Sequence, residues 1–365
     1  MIKNNVLACL LTAAAGAFLL SACAEPPAES PVEDEAAAAV EPEVQVRDPR
    51  LTVFSPLPER MESANNPLTL AKVNLGRKLY FDSRLSKNQD ISCNTCHLLD
   101  KFGVDGLATS VGHLQQAGTR NAPTVYNAAG HISQFWDGRA ATVEEQTKEP
   151  LLNPIEMAME DEAAVETVLK SIPGYEPLFA AAFPETEDPI TFNNMAQAIG
   201  AFERELVTRS RFDDYLAGDD AALNEVEQAG VIAFIDAGCS TCHSGPYVGG
   251  SMYQKLGLVR PWADISDLGR YEVTANDADK QVFKVPSLRN VSQTGPYFPD
   301  GSVGSLNEAV RLMADHQLGI EVTNEQVISI IAFLNSLDGS IDEDFIMMPE
   351  LPESGEEVIV VPDAT

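Results

Sequence analysis

Residues 91–97 read ISCNTCH and residues 237–243 read AGCSTCH, so the pattern Cys-x-x-Cys-His occurs twice in one chain. In c-type cytochromes the two thiols form thioethers with the haem vinyl groups, and the adjoining histidine reaches beneath the iron. The two intervening residues place both sulfurs on one edge of the ring. Such a pentapeptide arises by chance in roughly one chain in a thousand of this length, and two in about one in a million. Two other readings use the same cysteines: a zinc site shared by Cys93, Cys96, Cys239 and Cys242, or a redox-active Cys-x-x-Cys. Both leave the histidine after each second cysteine unexplained. The pattern therefore predicts two haems c, one on Cys93, Cys96 and His97, the other on Cys239, Cys242 and His243.

Outward from the motifs, 365 residues with 44% hydrophobic side chains are enough for two domains and a real core. Residues 1–22 carry a lone Lys3, an apolar run and small residues, the layout of an export signal too short for a confident membrane span. The run ends LLSAC, which resembles a bacterial lipobox with Cys23 as lipid anchor; Ala24 after it leans toward the outer membrane. Residues 23–49 are Ala, Pro and Glu with little to bury and read as a disordered acidic tether. Folded structure is expected over 50–338, divided at 215/216 into two haem domains, with 339–365 an acidic tail. The net charge of −31 leaves no basic face for phosphates, which argues against nucleic acid and suits a basic protein partner.

Periodicity within the folded part is helical. NPLTLAKVNLGRKLYFD offers Asn66 as cap with Leu68, Leu75 and Leu79 on one face, and TFNNMAQAIGAFERELV places Met195, Ile199, Phe202 and Leu206 at helical steps. Ser305 with Glu308, and Thr323 with Gln326, form capping boxes, the latter before a helix running to Gly339. Strand candidates are few, so the fold is mainly α: two cytochrome c-like domains, each around one covalently bound haem c. The long connecting stretches 98–135 and 244–304 need something large to wrap around.

The strings RNAPTVYNA, FWDGRAATVEEQ, NPIEM, VPSLRN, TGPYF and MADHQLG, in this order around the two motifs, resemble the bacterial dihaem cytochrome c peroxidase family, which includes MauG-like proteins. The resemblance spans roughly residues 50–338. It implies a peroxidatic haem in the first domain and an electron-transfer haem in the second. Glu156 in NPIEM matches the distal glutamate, which moves a proton from one peroxide oxygen to the other, and Gln146 matches the amide of the same pocket. His113 matches the histidine that closes the first iron in many resting members, and Trp136 matches the tryptophan between the haems. Met313 is implied as sixth ligand of the second haem, where a thioether raises the potential; Met252 and His316 are rivals. A calcium ion is implied at Asn121 and the carbonyls of Thr294 and Pro296. His131 matches no role and reads as a solvent-exposed residue. Many members have histidine where Pro299 stands in PYFPDG.

The function so implied is periplasmic reduction of hydrogen peroxide to water, with electrons from a small cytochrome c or cupredoxin, by a lipid-tethered chain that forms a homodimer as relatives commonly do. The alternatives are a MauG-like protein oxidiser, whose axial tyrosine is a methionine here, and a non-catalytic dihaem electron carrier.

Overall fold

A computed structural model describes residues 47–262 and 266–354. The export signal, Cys23 and nearly all of the tether lie outside the described residues, as do 355–365. The first half carries α1 (Leu70–Phe81), α2 (Cys93–Cys96), α3 (Val143–Leu152), α4 (Glu162–Ser171), α5 (Tyr175–Ala182) and α6 (Phe192–Glu203). The second carries α7 (Arg211–Ala217), α8 (Glu225–Asp236), α9 (Tyr271–Thr274), α10 (Leu306–Leu312), α11 (Asn324–Ser336) and α12 (Glu343–Ile346). The small sheet is an antiparallel pair, β1 (Tyr253–Lys255) and β2 (Val282–Lys284), with Tyr253 opposite Lys284. The protein is mainly helical, as its periodicity predicts.

Two apolar cores organise these elements. In the first, α1 lies along α6 with α3 and α5 alongside, and Leu75, Leu79, Met195, Ile199, Phe202 and Leu206 are all buried in it. In the second, α8 packs on α11 around Phe212, Phe234 and Phe333, whose rings meet edge to face. Ser305 caps α10, and Thr323 and Gln326 form the reciprocal box that opens α11. That helix stops at Ser336, short of Gly339, which is bridged instead to Ser210.

Two expectations need correction. Thr69, not Asn66, caps α1. Asn66 is buried, and its amide donates to Glu144 Oε1 at 3.0 Å and to Gln197 O at 2.8 Å, so its side chain is spent on the core instead of the helix end. Nor does the fold end at 338. Ile341, Phe345, Ile346 and Leu351 pack against the first core, giving an apolar edge to a segment whose acids suggest a solvated tail. Arg77 donates to Asp344 O and Met347 O, Arg84 donates to Pro352 O at 2.9 Å, and Lys78 reaches Glu350 O. At the other end of the chain Leu51 and Phe54 belong to the second core. Each terminus thus fastens the opposite half.

Candidate haem pockets

The first motif begins on a one-turn helix. Ser92 and Thr95 cap each other reciprocally, which turns Cys93 and Cys96 onto one helical face, and His97 N–H closes the turn on Cys93 O at 3.0 Å. The second motif makes a tighter turn, Cys239–Thr241, with His243 N–H on Cys239 O at 3.0 Å. In both, a backbone carbonyl a few residues on faces the histidine Nδ1: Gly103 O at 3.3 Å from His97, and Val248 O at 3.3 Å from His243. A carbonyl can only accept, so Nδ1 carries the proton and Nε2 is left as the ligating nitrogen. Burial holds His97 below the usual imidazole range and His243 down at about 4, so both rings are neutral, the form that binds a metal.

Burial also pushes the thiols up, Cys93 to about 12, Cys96 and Cys239 to about 11. Such groups are poor thiolates, which disfavours a redox-active pair. Cys93 packs on the first core and Cys239 on the second. Among the described residues no cluster of three or more His, Cys, Asp or Glu could hold a metal, which removes the shared zinc site. Four unbonded cysteines and two clamped, neutral imidazoles in separate cores fit two covalent haems.

Around His97 the structure gathers ionisable groups. Residues 110–118 form a loop closed by the Val111–Ala117 bridge, with His113 5% exposed. His113 N–H reaches both Ile155 O at 2.8 Å and Glu156 O at 2.9 Å. Gly112 lets the loop come this close, because a Cβ there would lie 2.1 Å from Ile155 O. Leu114 and Gln115 follow with φ of 54° and 60°, a left-handed backbone costly for residues with side chains. Asn153 Nδ2 donates to Glu156 Oε1 at 2.8 Å. Burial raises the Glu156 carboxyl, while Arg139 and the Asn153 bond pull it back in part; the carboxylate in turn helps raise Cys96. His113, Glu156 and the Cys96 side of the first motif therefore share one neighbourhood. Gln146 stands half-buried on α3, on the face of Glu149 and Asn153.

Trp136 joins the halves. Its Nε1–H donates to Asn121 O at 2.9 Å, and its carbonyl accepts from Lys284 N at 2.8 Å on β2. Asn121 N–H donates to Pro299 O at 2.7 Å, which brings Asn121 to the loop that carries Thr294 and Pro296. Pro299 thus makes this contact through a carbonyl that any residue could supply. Met313 opens a π-helical turn, Met313–Leu318, directly after α10. Of its rivals, His316 faces Arg260 O with Nδ1 at 3.1 Å and packs its ring on Trp262 at a 4.7 Å centroid distance.

Some residues escape the sequence reading. Glu203 ends α6, is 4% exposed, and is pushed up to about 8 by burial and then by Glu144. The signal was its spacing, four after Ile199 on the buried stripe. Glu144 is held at about 2: burial opposes this, but the Arg204 fork at 2.8 and 2.9 Å and the Asn66 amide outweigh it. Arg289 and Asp213 form a second fork, both fully buried. His131 is not solvent-exposed, since both ring nitrogens are buried, with the ring edge-on to Tyr247.

A family model described as di-haem cytochrome c peroxidase matches residues 70–221. The cytochrome c551 peroxidase of Pseudomonas aeruginosa is 44% identical over 317 residues, covering 85% of this chain and 91% of that protein. The chain belongs to the dihaem cytochrome c peroxidase family. The cytochrome c551 peroxidase of Nitrosomonas europaea is 46% identical over 282 residues, 77% of this chain and 83% of that one. A crystal structure of a MauG-like protein associated with microbial copper homeostasis superposes with a TM-score of 0.70 at 30% identity, over 80% of this chain and 95% of that one. Both branches of the peroxidase family are thus represented among its relatives.

Proposed function

We propose that the protein reduces hydrogen peroxide to two waters, using two protons and two electrons drawn one at a time from a small cytochrome c or cupredoxin. The observation that carries this reading is the half-buried Glu156 carboxyl, near enough to the first motif to raise the Cys96 thiol and itself raised by desolvation. A carboxylate in such a pocket can take a proton from one peroxide oxygen and return it to the other. Asn153 holds its Oε1 in place, and Gln146 serves the same pocket. The haems, when bound, supply the redox chemistry and store the electrons. His97 and His243 would hold the two irons, Met313 would be a further ligand in the second half, and Trp136 would be the aromatic group on the path between.

His113 closes the first pocket at rest. Its left-handed loop hangs on two carbonyls of the Glu156 loop, so a change there can release it. Asn121 Oδ1 with the carbonyls of Thr294 and Pro296 would hold a calcium ion that ties the halves together. The chain acts in the periplasm, anchored to the outer membrane by lipid on Cys23, and pairs as a homodimer; among the described residues no helix is long and apolar enough to cross a membrane. Methionine at 313 favours peroxide reduction over the oxidation of a protein partner. The deciding experiment is Glu156→Gln with both haems loaded: turnover should fall by about 10²–10⁴ with the visible spectrum retained. Undiminished turnover overturns the proposal.

A further inference from the structure

Residues 131–136 run beside the loop that follows the second Cys-x-x-Cys-His motif. Ile132 N–H donates to Gly250 O at 2.9 Å, and Lys284 Nζ donates to Ser133 O at 2.8 Å. At the head of this segment the His131 ring lies against Gly250, where a Cβ would fall 2.4 Å from the ring, and edge-on to Tyr247 at a 5.4 Å centroid distance. Gly250 and Tyr247 belong to the loop whose Val248 carbonyl holds His243 Nδ1. His131 is therefore a residue of the first half set against the loop that positions His243.

Neither His131 nitrogen has a hydrogen-bond partner, and both are shielded from solvent. An imidazole always carries at least one N–H, and an unpaired buried donor costs about 1–3 kcal/mol. Lys284 is 8% exposed and has a neutral carbonyl for its hydrogen bond. The carboxylate that faces it, Asp137, is already shared by Arg120 and Arg139. Lys284 also lies close enough to His131 to disfavour a charge on the ring. Two shielded nitrogen-bearing side chains anchored on the same 131–133 stretch, one unpartnered and neither with an acid of its own, are the chemistry that receives a carboxylate.

We propose that His131 and Lys284 together hold a propionate carboxylate of the haem carried by Cys239 and Cys242, with His131 as a positioning residue that tunes that haem from the other half of the molecule. This rests on the two-haem reading. A donor on the propionate offsets negative charge near the iron and favours the reduced state, so losing it lowers the potential.

The test is spectroelectrochemical titration of the full-length, haem-loaded protein. His131→Phe, which keeps a ring against Tyr247, should lower the midpoint potential of the His243 haem by at least a tenfold step in its reduction equilibrium, about 59 mV for one electron. The His97 haem should stay put. His131→Gln, which restores an N–H donor, should recover most of the shift. An unchanged potential in His131→Phe, or a shift that His131→Gln does not recover, overturns the proposal. If His131→Phe fails to take up the second haem, the wild type decides. A propionate bending band of the His243 haem that moves between H2O and D2O supports the contact, and one that does not move overturns it. A wild type without haem would instead defeat the two-haem reading itself.

Discussion

The two Cys-x-x-Cys-His segments are alike in what touches the histidine and unlike in what stands farther off. Each clamps Nδ1 with a carbonyl at 3.3 Å and packs its first, half-buried cysteine against an apolar core. Near the first gather a glutamate above its ordinary range, a second buried carboxyl at about 8, and a histidine on a left-handed loop. Among the described residues the second half has no carboxyl raised in this way. Its candidate ligand Met313 sits on a continuous helical turn, and its buried acids Asp213 and Glu227 are each locked in a fork, with Arg289 and Arg211. Two alike motifs are therefore set in unlike surroundings, raised carboxyls and a left-handed loop near the first and acids locked in forks around the second.

Removing either cysteine pair breaks the comparison most severely. Cys93→Ser with Cys96→Ser, or Cys239→Ser with Cys242→Ser, should each reduce the haem content from two to one per chain by pyridine haemochrome assay. Each should also cut turnover by about 10³ or more, since both halves are needed. The buried forks come next. Asp213→Asn should destabilise the protein by about 3–5 kcal/mol in denaturant titration, because it leaves Arg289 charged and wholly buried. Glu144→Gln should cost less, since Arg204 retains some contact with solvent.

Glu203 gives a pH signature peculiar to the first half. Its folded pKa, about 8, is raised, so its contribution to stability is complete below the ordinary carboxyl range and is lost as pH rises through 8. Between pH 5 and 9 the wild type should lose roughly 3 kcal/mol more stability than Glu203→Gln, measured by urea unfolding at each pH. Equal slopes would show that Glu203 is ionised at neutral pH. The smallest effect is expected from Phe345→Ala, about 2 kcal/mol, read as a lower unfolding midpoint.

Much of this was legible in the sequence where local chemistry and period agree. The Cys-x-x-Cys-His motifs, the stripe through Met195, Ile199 and Phe202, the cap at Ser305 and the box at Thr323 need only neighbours in sequence to be read, although Glu308 does not close the expected box on Ser305. What failed depended on distant partners. Asn66 has every local mark of a cap, yet Glu144, 78 positions later, claims its amide. His131 in a glycine-flanked loop suggests exposure, yet residues 247 and 250 close over it. Residues 341–351 are rich in acids, and only the shape of the first core makes Phe345 and Leu351 half-buried anchors. Glu203 was readable in principle, since its position on the buried stripe outweighs its charge.

The crossed termini bear on how such a chain is made. Leu51 and Phe54 complete the later core, and Ile341 through Leu351 complete the earlier one. During synthesis the amino-terminal half cannot seal until Leu351 has emerged. Splitting the polypeptide near residue 218 would give two fragments, each missing its own clasp and each dependent on the other to close.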